Sequence, residues 1–216
     1  MENKELFELA SVEALIFDMD GTLWDSVDTI VEAWNRGMRV LGRPESFTRE
    51  NLSTHMGKTV EEIRAISFPD LASWKAEKAM NLLFEIENDL IKEKGGELYP
   101  AVPECLKALS ESHKLMIVSN CGNGYIEAFL DFYQLGELIL DHECNGGTGL
   151  PKGENIRLIM ERNQIKSAAY VGDTITDWKA TEEAGVPFIY ASYGFRKVPE
   201  EHCALVLKEF EDLVKS

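Results

Sequence analysis

The sequence predicts an α/β protein in which a parallel sheet forms the core and a helical segment is inserted after the first strand. Short apolar runs recur along the chain, each followed by a turn signal and then a helical stretch, an alternation typical of α/β folds. The interval from 27 to 95 breaks this alternation, because it contains no strand-like run. Polar and acidic residues follow several of the apolar runs directly, which is where open parallel sheets place their ligand sites.

Four apolar runs are predicted to form strands. Because they are short and apolar throughout, they suit strands that are buried on both faces of a parallel sheet. The runs cover residues 14–17, 115–118, 168–171 and 187–191, and predicted helical segments such as 154–163 and 176–184 lie between the later ones.

The interval between the first two runs is predicted to be helical, over 27–41, 59–66 and 71–94. In the third helix, apolar residues recur at helical spacing, which predicts packing in a small helical bundle. They are Leu82, Leu83, Ile86, Leu90 and Ile91, with Glu85, Glu87, Asn88 and Asp89 between them. We therefore predict a core domain of residues 1–25 and 97–216 and an inserted all-helical domain of residues 26–96.

Composition excludes several classes of partner. The 216 residues are 44% hydrophobic and 28% charged, as in ordinary globular proteins, and carry a formal net charge of −16. Such acidity argues against nucleic acids and anionic membranes as partners, and it makes a metal ion a reasonable expectation if the protein handles phosphates. The four cysteines show no disulfide or zinc pattern, and no signal peptide or membrane span is evident, so we predict a cytoplasmic protein. Nothing predicts an oligomeric state.

The strongest chemical signal is Asp18-Met-Asp20, directly after the first apolar run. Two carboxylates two residues apart project to one side of an extended backbone, and burying both is unfavourable unless a cation or a shared proton relieves their repulsion. Gly21 permits the tight turn that follows. The alternative, a helix N-cap, would need only one of the two aspartates.

Three further clusters are individually weaker. Ser119 and Asn120 follow the second run and could bind phosphate oxygens, although both residue types are also common in turns and at helix starts. Lys152 lies in a glycine-rich loop before a helix, where a lysine is usually solvated. Asp173 and Asp177 follow the third run and could offer oxygen ligands to a hard cation, or one of them could cap a helix.

Taken in this order, the four clusters resemble the motifs of the haloacid dehalogenase-like hydrolase superfamily. Phe17–Leu23 matches the first motif in full and Val171–Asp177 matches the fourth closely, while Ser119-Asn120 and Lys152 match the weaker second and third motifs. The segments 99–102 and 184–188 also resemble the corresponding segments of phosphoglycolate phosphatase-like members of this superfamily. The resemblance covers nearly the whole chain and implies a Rossmann-like core with a mobile helical cap.

The resemblance implies a Mg²⁺-dependent phosphatase that acts on a small phosphorylated metabolite. Asp18 would be the nucleophile that forms an aspartyl-phosphate, and Asp20 would be the general acid and then the base. Mg²⁺ would be held by Asp18, the backbone carbonyl of Asp20 and Asp173. Asp177 would order a metal-bound water or the surrounding loop.

The resemblance likewise implies that Ser119 and Lys152 bind phosphate oxygens, with Lys152 offsetting the negative charge around Asp18. Here the chain departs from the family pattern, because many relatives follow this lysine with a proline, whereas Pro151 precedes Lys152 and Gly153 follows it. Lys166 is a more distant alternative for the same role.

Sister activities differ at single residues. Haloacid dehalogenases and phosphonoacetaldehyde hydrolases depart from this chain at Asp20, whose presence disfavours both chemistries. β-Phosphoglucomutases typically place a histidine in the first cap helix, where this chain has Ile30. A non-catalytic binding or regulatory protein would be expected to lack one of the aspartates. Phosphatase activity is therefore the favoured prediction, and a phosphosugar mutase or a non-catalytic protein are the alternatives.

Substrate choice is expected to depend on the cap. Trp24, His55, Lys58 and Arg64 are candidate cap or hinge contacts, although Trp24 and His55 could instead pack at the seam between the domains and the two basic residues could be solvated. Phosphoglycolate is the substrate that the resemblance suggests, and sugar phosphates and nucleoside monophosphates remain open.

Overall fold

A six-stranded parallel sheet lies at the centre of the computed structural model, which describes residues 7–215. The strands are β1 (Ala14–Phe17), β4 (Lys114–Ser119), β5 (Ile139–Cys144), β6 (Ala168–Gly172), β7 (Phe188–Ala191) and β8 (Leu205–Leu207), with a separate pair, β2 (Trp24–Asp25) and β3 (Glu97–Leu98). The order across the sheet is β5-β4-β1-β6-β7-β8, so the first strand in the chain is central. This arrangement confirms the predicted α/β class.

Strand β1 shows why the sheet is buried on both faces. Leu15 and Phe17 belong to one apolar cluster and Ala14 and Ile16 to another, as the alternation of side chains along a strand requires. Both clusters are covered by helices, and all four β1 residues are fully buried. The uninterrupted apolar run was therefore a valid signal for a central parallel strand.

The two edge strands of the sheet were not predicted. Strand β5 carries Asp141, His142 and Glu143, and most of its residues are partly exposed. An edge strand pairs with a neighbouring strand on one side only and is open to solvent on the other, so it needs no continuous apolar run. Strand β8 has only three residues and gave too short a pattern to be recognised.

Helices cover both faces of the sheet and fill the inserted segment. Those of the inserted segment are α1 (Val27–Val40), α2 (Arg49–Ser53), α3 (Val60–Ser67) and α4 (Ser73–Lys94), of which α2 was not predicted. The others are α5 (Val102–Leu109), α6 (Tyr125–Tyr133), α7 (Asn145–Thr148), α8 (Lys152–Arg162), α9 (Ile175–Ala184) and α10 (Asp212–Lys215). Short 3-10 turns occur at Leu9–Ser11, Gly136–Leu138 and Glu200–His202.

The inserted helices begin and end at the antiparallel pair of β2 and β3, where Trp24 faces Leu98. Trp24 is fully buried at this crossing, with its ring 4.9 Å from that of Phe129 and 5.5 Å from that of Tyr125. A Cβ on Gly96 would lie 2.9 Å from the Trp24 ring, so the returning chain passes directly against the indole. The pair therefore joins the helical segment to the core through one tightly packed contact, and Trp24 belongs to this seam.

All four cysteines lie within the described residues and are free thiols. Among residues 7–215, no helix has the length and apolar character that crossing a membrane requires.

Candidate active site

The predicted site residues converge at the carboxyl ends of the central strands. Asp18 follows β1, Ser119 ends β4 and Asp173 follows β6. These three strands are in register, with Phe17 beside both Ile117 and Val171, so the residues that follow them lie at one edge of the sheet. Parallel sheets place their ligand sites at this edge.

Lys152 reaches this edge from the first turn of α8. Its Nζ lies 3.0 Å from Oδ1 of Asp18 and 2.5 Å from Oδ1 of Asp177, and its side chain is buried. Burial opposes the charged ammonium, but the charges of Asp177 and Asp18 outweigh it and raise the pKa of Lys152 well above its ordinary value. Lys166 is exposed, and its backbone bonds to Glu13 near the start of β6. The altered proline position therefore does not move Lys152 away from Asp18.

Asp18 is itself buried and is only 4% exposed. Burial raises its pKa from 3.8 to about 7, with a further increase from the charge of Asp177, while Lys152 acts in the opposite direction. The lysine thus offsets only part of the cost of a carboxylate in this position.

Asp18, Asp173 and Asp177 form a buried acidic cluster whose carboxylate oxygens lie within 4.8 Å of one another. Asp173 accepts a bond of 2.6 Å from the backbone N–H of Phe195, but its Oδ1 is buried without a hydrogen-bond partner. Burial, followed by the charges of Asp177 and Asp18, raises the pKa of Asp173 well above its ordinary value. Three close carboxylates and an unpartnered oxygen fit a hard divalent cation, which binds oxygen ligands of this kind.

The backbone around Asp173 leaves no room for side chains. A Cβ on Gly21 would lie 2.3 Å from Oδ2 of Asp173, and one on Gly194 would lie 2.4 Å from its Cβ. Gly21 also has a positive φ of 84°, which most residues avoid. Both loops can therefore approach the aspartate only because glycine occupies these positions.

Asp177 has two structural partners. Its Oδ2 accepts hydrogen bonds from the backbone N–H and the hydroxyl of Thr174, at 2.9 and 2.6 Å, and so closes the capping box of α9. Its Oδ1 accepts the bond from Lys152. Thr174 is thus the N-cap of α9, and Asp177 supports it from the third helical position while it also orients the lysine.

Asp20 lies beside this cluster and is partly exposed to the adjoining cavity. Its Oδ1 accepts a bond of 2.5 Å from the hydroxyl of Ser26 and one of 2.7 Å from that of Tyr125. Burial raises the pKa of Asp20 to about 6, against the lowering effect of these two bonds. The sequence carried no signal for either partner, because a serine at a helix start and a tyrosine in a core helix are both commonplace.

Ser119 and Asn120 are buried and line the same cavity. The side-chain N–H of Asn120 donates to the backbone carbonyl of Gly57 at 3.0 Å, so this residue joins the core to the loop before α3. Its Oδ1 is buried without a partner. Phosphate binding by these two residues remains a prediction.

The cavity has a volume of about 50 Å³ and lies between the ends of the strands and the inserted helices. Of the four candidate cap or hinge contacts, His55 and Lys58 line it, whereas Trp24 and Arg64 do not. Arg64, which is partly buried, instead lies 3.6 Å from the exposed Glu61 in an ion pair. Ile30 is among the apolar lining residues.

Glu87 is a cavity residue that the sequence pattern misplaced. We expected it among the polar residues between the apolar positions of α4, but it is only 3% exposed and lies on the buried face with Leu83, Leu90 and Ile91. Its spacing of four residues from Leu83 and Ile91 is the only sequence signal of that position. Its Oε2 accepts a hydrogen bond from Nε1 of Trp34. Burial raises the pKa of Glu87 from 4.5 to about 8.

Comparison with known proteins identifies the class. Residues 15–191 match the family model described as haloacid dehalogenase-like hydrolase, so the chain belongs to that family. A protein from Photobacterium profundum named phosphoglycolate phosphatase is 26% identical over 96% of both chains, and one of the same name from Aquifex aeolicus is 28% identical over 94% of this chain and 96% of its own.

Solved structures confirm the fold. A haloacid dehalogenase-like hydrolase from Streptococcus pneumoniae superposes with a TM-score of 0.79 at 20% identity, covering 96% of this chain and 99% of its own. Family membership makes the chain an enzyme of the hydrolase class. Family membership and the named relatives together identify the protein as a phosphatase, that is, a phosphoric monoester hydrolase.

Proposed function

We propose that this phosphatase hydrolyses a small phosphate monoester through an aspartyl-phosphate formed on Asp18, with Mg²⁺ as cofactor. The contact between Asp18 and Lys152 beside a buried acidic cluster carries the proposal. The Asp18 carboxylate held against a lysine, next to the Asp20 carboxyl group that faces the cavity, provides both a nucleophile and a proton donor. Phosphoglycolate, the substrate in the names of the curated relatives, is one candidate ester.

In the first step, a carboxylate oxygen of Asp18 attacks phosphorus and the bond from phosphorus to the ester oxygen breaks. Asp20 gives its proton to the departing alkoxide, so the alcohol leaves neutral. In the second step, Asp20 takes a proton from water as the water oxygen attacks phosphorus, which releases inorganic phosphate and restores Asp18. Ser26 and Tyr125 hold Oδ1 of Asp20 in place for both transfers.

Asp18, Asp173 and the backbone carbonyl of Asp20 would hold Mg²⁺ at the cluster where Oδ1 of Asp173 has no partner. When bound, the cation would supply the positive charge that lets a phosphate dianion approach an anionic nucleophile. Asp177 keeps Lys152 directed at Asp18. The charge of Lys152 also helps the phosphate dianion to approach the anionic nucleophile. Ser119 and Asn120 would donate hydrogen bonds to the phosphate oxygens.

Turnover of p-nitrophenyl phosphate tests the proposal. We expect hydrolysis that requires added Mg²⁺ and is abolished by Asp18→Asn, because the amide cannot attack phosphorus. Lys152→Met is expected to lower kcat/KM by roughly 10²-fold or more, as the loss of a buried charge at a phosphoryl site does. The matched control is Lys166→Met, which changes an exposed lysine and should leave the rate near that of wild type.

Three results would contradict it. The hypothesis of phosphatase activity fails if folded wild type turns over neither p-nitrophenyl phosphate nor any of several small phosphate esters. The nucleophile assignment fails if Asp18→Asn retains wild-type turnover. The role of Lys152 fails if its variant and Lys166→Met behave alike.

A further inference from the structure

Two buried polar side chains in the cavity lining have no part in the proposed chemistry. His55 lies just beyond α2 and Glu87 lies on α4, and they are 6% and 3% exposed. Around them the inserted helices contribute apolar side chains, including Ile30, Leu52 and Phe84. A polar group in such surroundings is costly unless it is hydrogen-bonded, so a bound molecule that satisfies both groups gains affinity.

The hydrogen bonding of His55 determines what it can offer. Its Nδ1 lies 2.9 Å from the backbone carbonyl oxygen of Asn51, which can only accept, so the ring proton is on Nδ1. In this tautomer Nε2 is the acceptor of the ring, and it is buried without a partner. His55 therefore presents an acceptor that only a donor on the bound molecule can satisfy.

Glu87 offers the complementary function. Its Oε2 is occupied by the indole N–H of Trp34, and among residues 7–215 no other donor bonds to the carboxyl. Burial raises its pKa to about 8, so the group carries a proton at neutral pH, and that proton lies on Oε1 because Trp34 donates to Oε2. The charge of Asp20 contributes to this rise, which places Glu87 near the residue that protonates the leaving alcohol.

We propose that His55 and Glu87 bind hydroxyl groups of the leaving alcohol, so that the substrate is the phosphate monoester of a polyol or sugar. The inference rests on the proposed function and refines its substrate class. A hydroxyl both donates and accepts, which matches the acceptor of His55 and the donor of Glu87. A carboxylate can only accept, so phosphoglycolate would leave Nε2 of His55 unsatisfied. An ammonium can only donate and would leave the Glu87 proton unmatched.

Lys58, in the loop before α3, is the one cationic side chain that the inserted segment contributes to the cavity lining among the described residues. It lies near Glu62, whose pKa is lowered first by a hydrogen bond from the Thr59 backbone and also by the Lys58 charge. Part of the lysine charge is thus already offset. If a substrate carboxylate bound in this cavity, Lys58 would be its partner, which makes Lys58→Met the discriminating variant.

The test compares kcat/KM for glycerol 3-phosphate, phosphoglycolate and phosphoethanolamine. Wild type should prefer glycerol 3-phosphate by about tenfold or more, the equivalent of one net hydrogen bond. Glu87→Leu should reduce that preference by about tenfold, and Glu87→Gln should keep it within a few-fold, because an amide still donates and accepts. Glu85→Leu, at an exposed position on the same helix, is the matched control and should keep the wild-type preference.

Two outcomes would overturn the inference while the proposed function stands. One is a wild-type preference for phosphoglycolate that Lys58→Met abolishes. The other is an equal loss toward all three esters in Glu87→Leu, which would indicate that Glu87 only supports Trp34. Absence of turnover with every ester, p-nitrophenyl phosphate included, would instead reject the phosphatase proposal itself.

Discussion

Burial sets the direction of the pKa shifts of the acidic residues around the cavity. Asp18, Asp20 and Glu87 all have pKa values above that of a solvated carboxyl, and in each case burial is the largest cause. Their partners differ in charge: Asp18 faces the ammonium of Lys152, whereas Glu87 meets only the neutral indole of Trp34. A neutral donor cannot compensate for desolvation of a carboxylate, so Glu87 is protonated more readily than a solvated glutamate.

Glu87 is therefore expected to make stability depend on pH. With a pKa raised from 4.5 to about 8, folding favours the protonated form, so this residue stabilises the fold most below pH 4.5 and loses that contribution as pH rises to about 8. Glu87→Gln carries no titrating proton. Its free energy of unfolding relative to wild type should increase across this window by up to about 1.4 kcal/mol per pH unit.

Urea denaturation between pH 5 and pH 8 measures this difference. Glu85→Gln, which neutralises an exposed glutamate on the same helix, is the control and should show a much smaller change. A difference between Glu87→Gln and wild type that stays constant over the range would show that Glu87 is already ionised in the folded protein.

At the scale of elements, the end of α4 is a tightly constrained junction. Gly95 follows the helix with φ 65° and ψ −153°, a conformation restricted almost entirely to glycine. A Cβ there would also lie 2.3 Å from the Phe132 ring. The backbone carbonyl of Gly95 accepts a bond of 2.7 Å from Thr29 on α1, so the conformation helps to hold two helices of the inserted segment together.

We accordingly expect Gly95→Ala to reduce the free energy of unfolding by about 1–3 kcal/mol, the usual cost of such strain. Gly136→Ala is the matched control, because a Cβ at Gly136 meets no atom within 4 Å and its φ is not positive. Chemical denaturation of the two variants provides the comparison. Equal stability of both would mean that the chain can relax at Gly95 without loss.

The element boundaries show how far local patterns reach. The predicted helix over 27–41 is observed as Val27–Val40 and that over 71–94 as Ser73–Lys94, because glycines after the last apolar residue end both. Helix α2 was missed because its five residues are too few to show a helical period. Strand β5 was missed because charged residues interrupt it at the sheet edge.

At the scale of the whole molecule, the acidic cluster joins the ends of β1 and β6 with the start of α9. A divalent cation held there would reduce the repulsion among the three carboxylates, of which Asp18 and Asp177 also contact Lys152. A ligand that binds only the folded state stabilises it, so Mg²⁺ should raise the melting temperature of EDTA-treated protein. At a Mg²⁺ concentration of 100 Kd, the free energy of unfolding should increase by about 2.7 kcal/mol.

Asp173→Asn should remove most of that magnesium-dependent shift, since it converts a buried anionic ligand into a neutral amide. Asp131→Asn, which changes an exposed aspartate on α6, should retain it. Thermal denaturation followed with and without Mg²⁺ gives both values. A wild-type melting temperature that does not respond to Mg²⁺ would argue against a metal site at the cluster.

The sequence by itself determined the α/β class and the family, because both depend on local patterns. Buried parallel strands need continuous apolar runs, and the acidic motif of Asp18 and Asp20 must follow one of them directly. The family resemblance nominated Lys152, but its contact with Asp18 could be seen only once α8 was packed against α9 and the strands β4 and β5.

Tertiary structure alone decided which side chains surround the site from outside those motifs. Tyr125 lies far from Asp20 in the chain and reaches it because α6 packs against the seam at Trp24. Glu87 looked like a solvated residue of an amphipathic helix until α1 and α4 enclosed it beside Trp34. Contacts between distant segments depend on how helices pack over the sheet, and a polar residue on a buried face leaves almost no trace in hydrophobic periodicity.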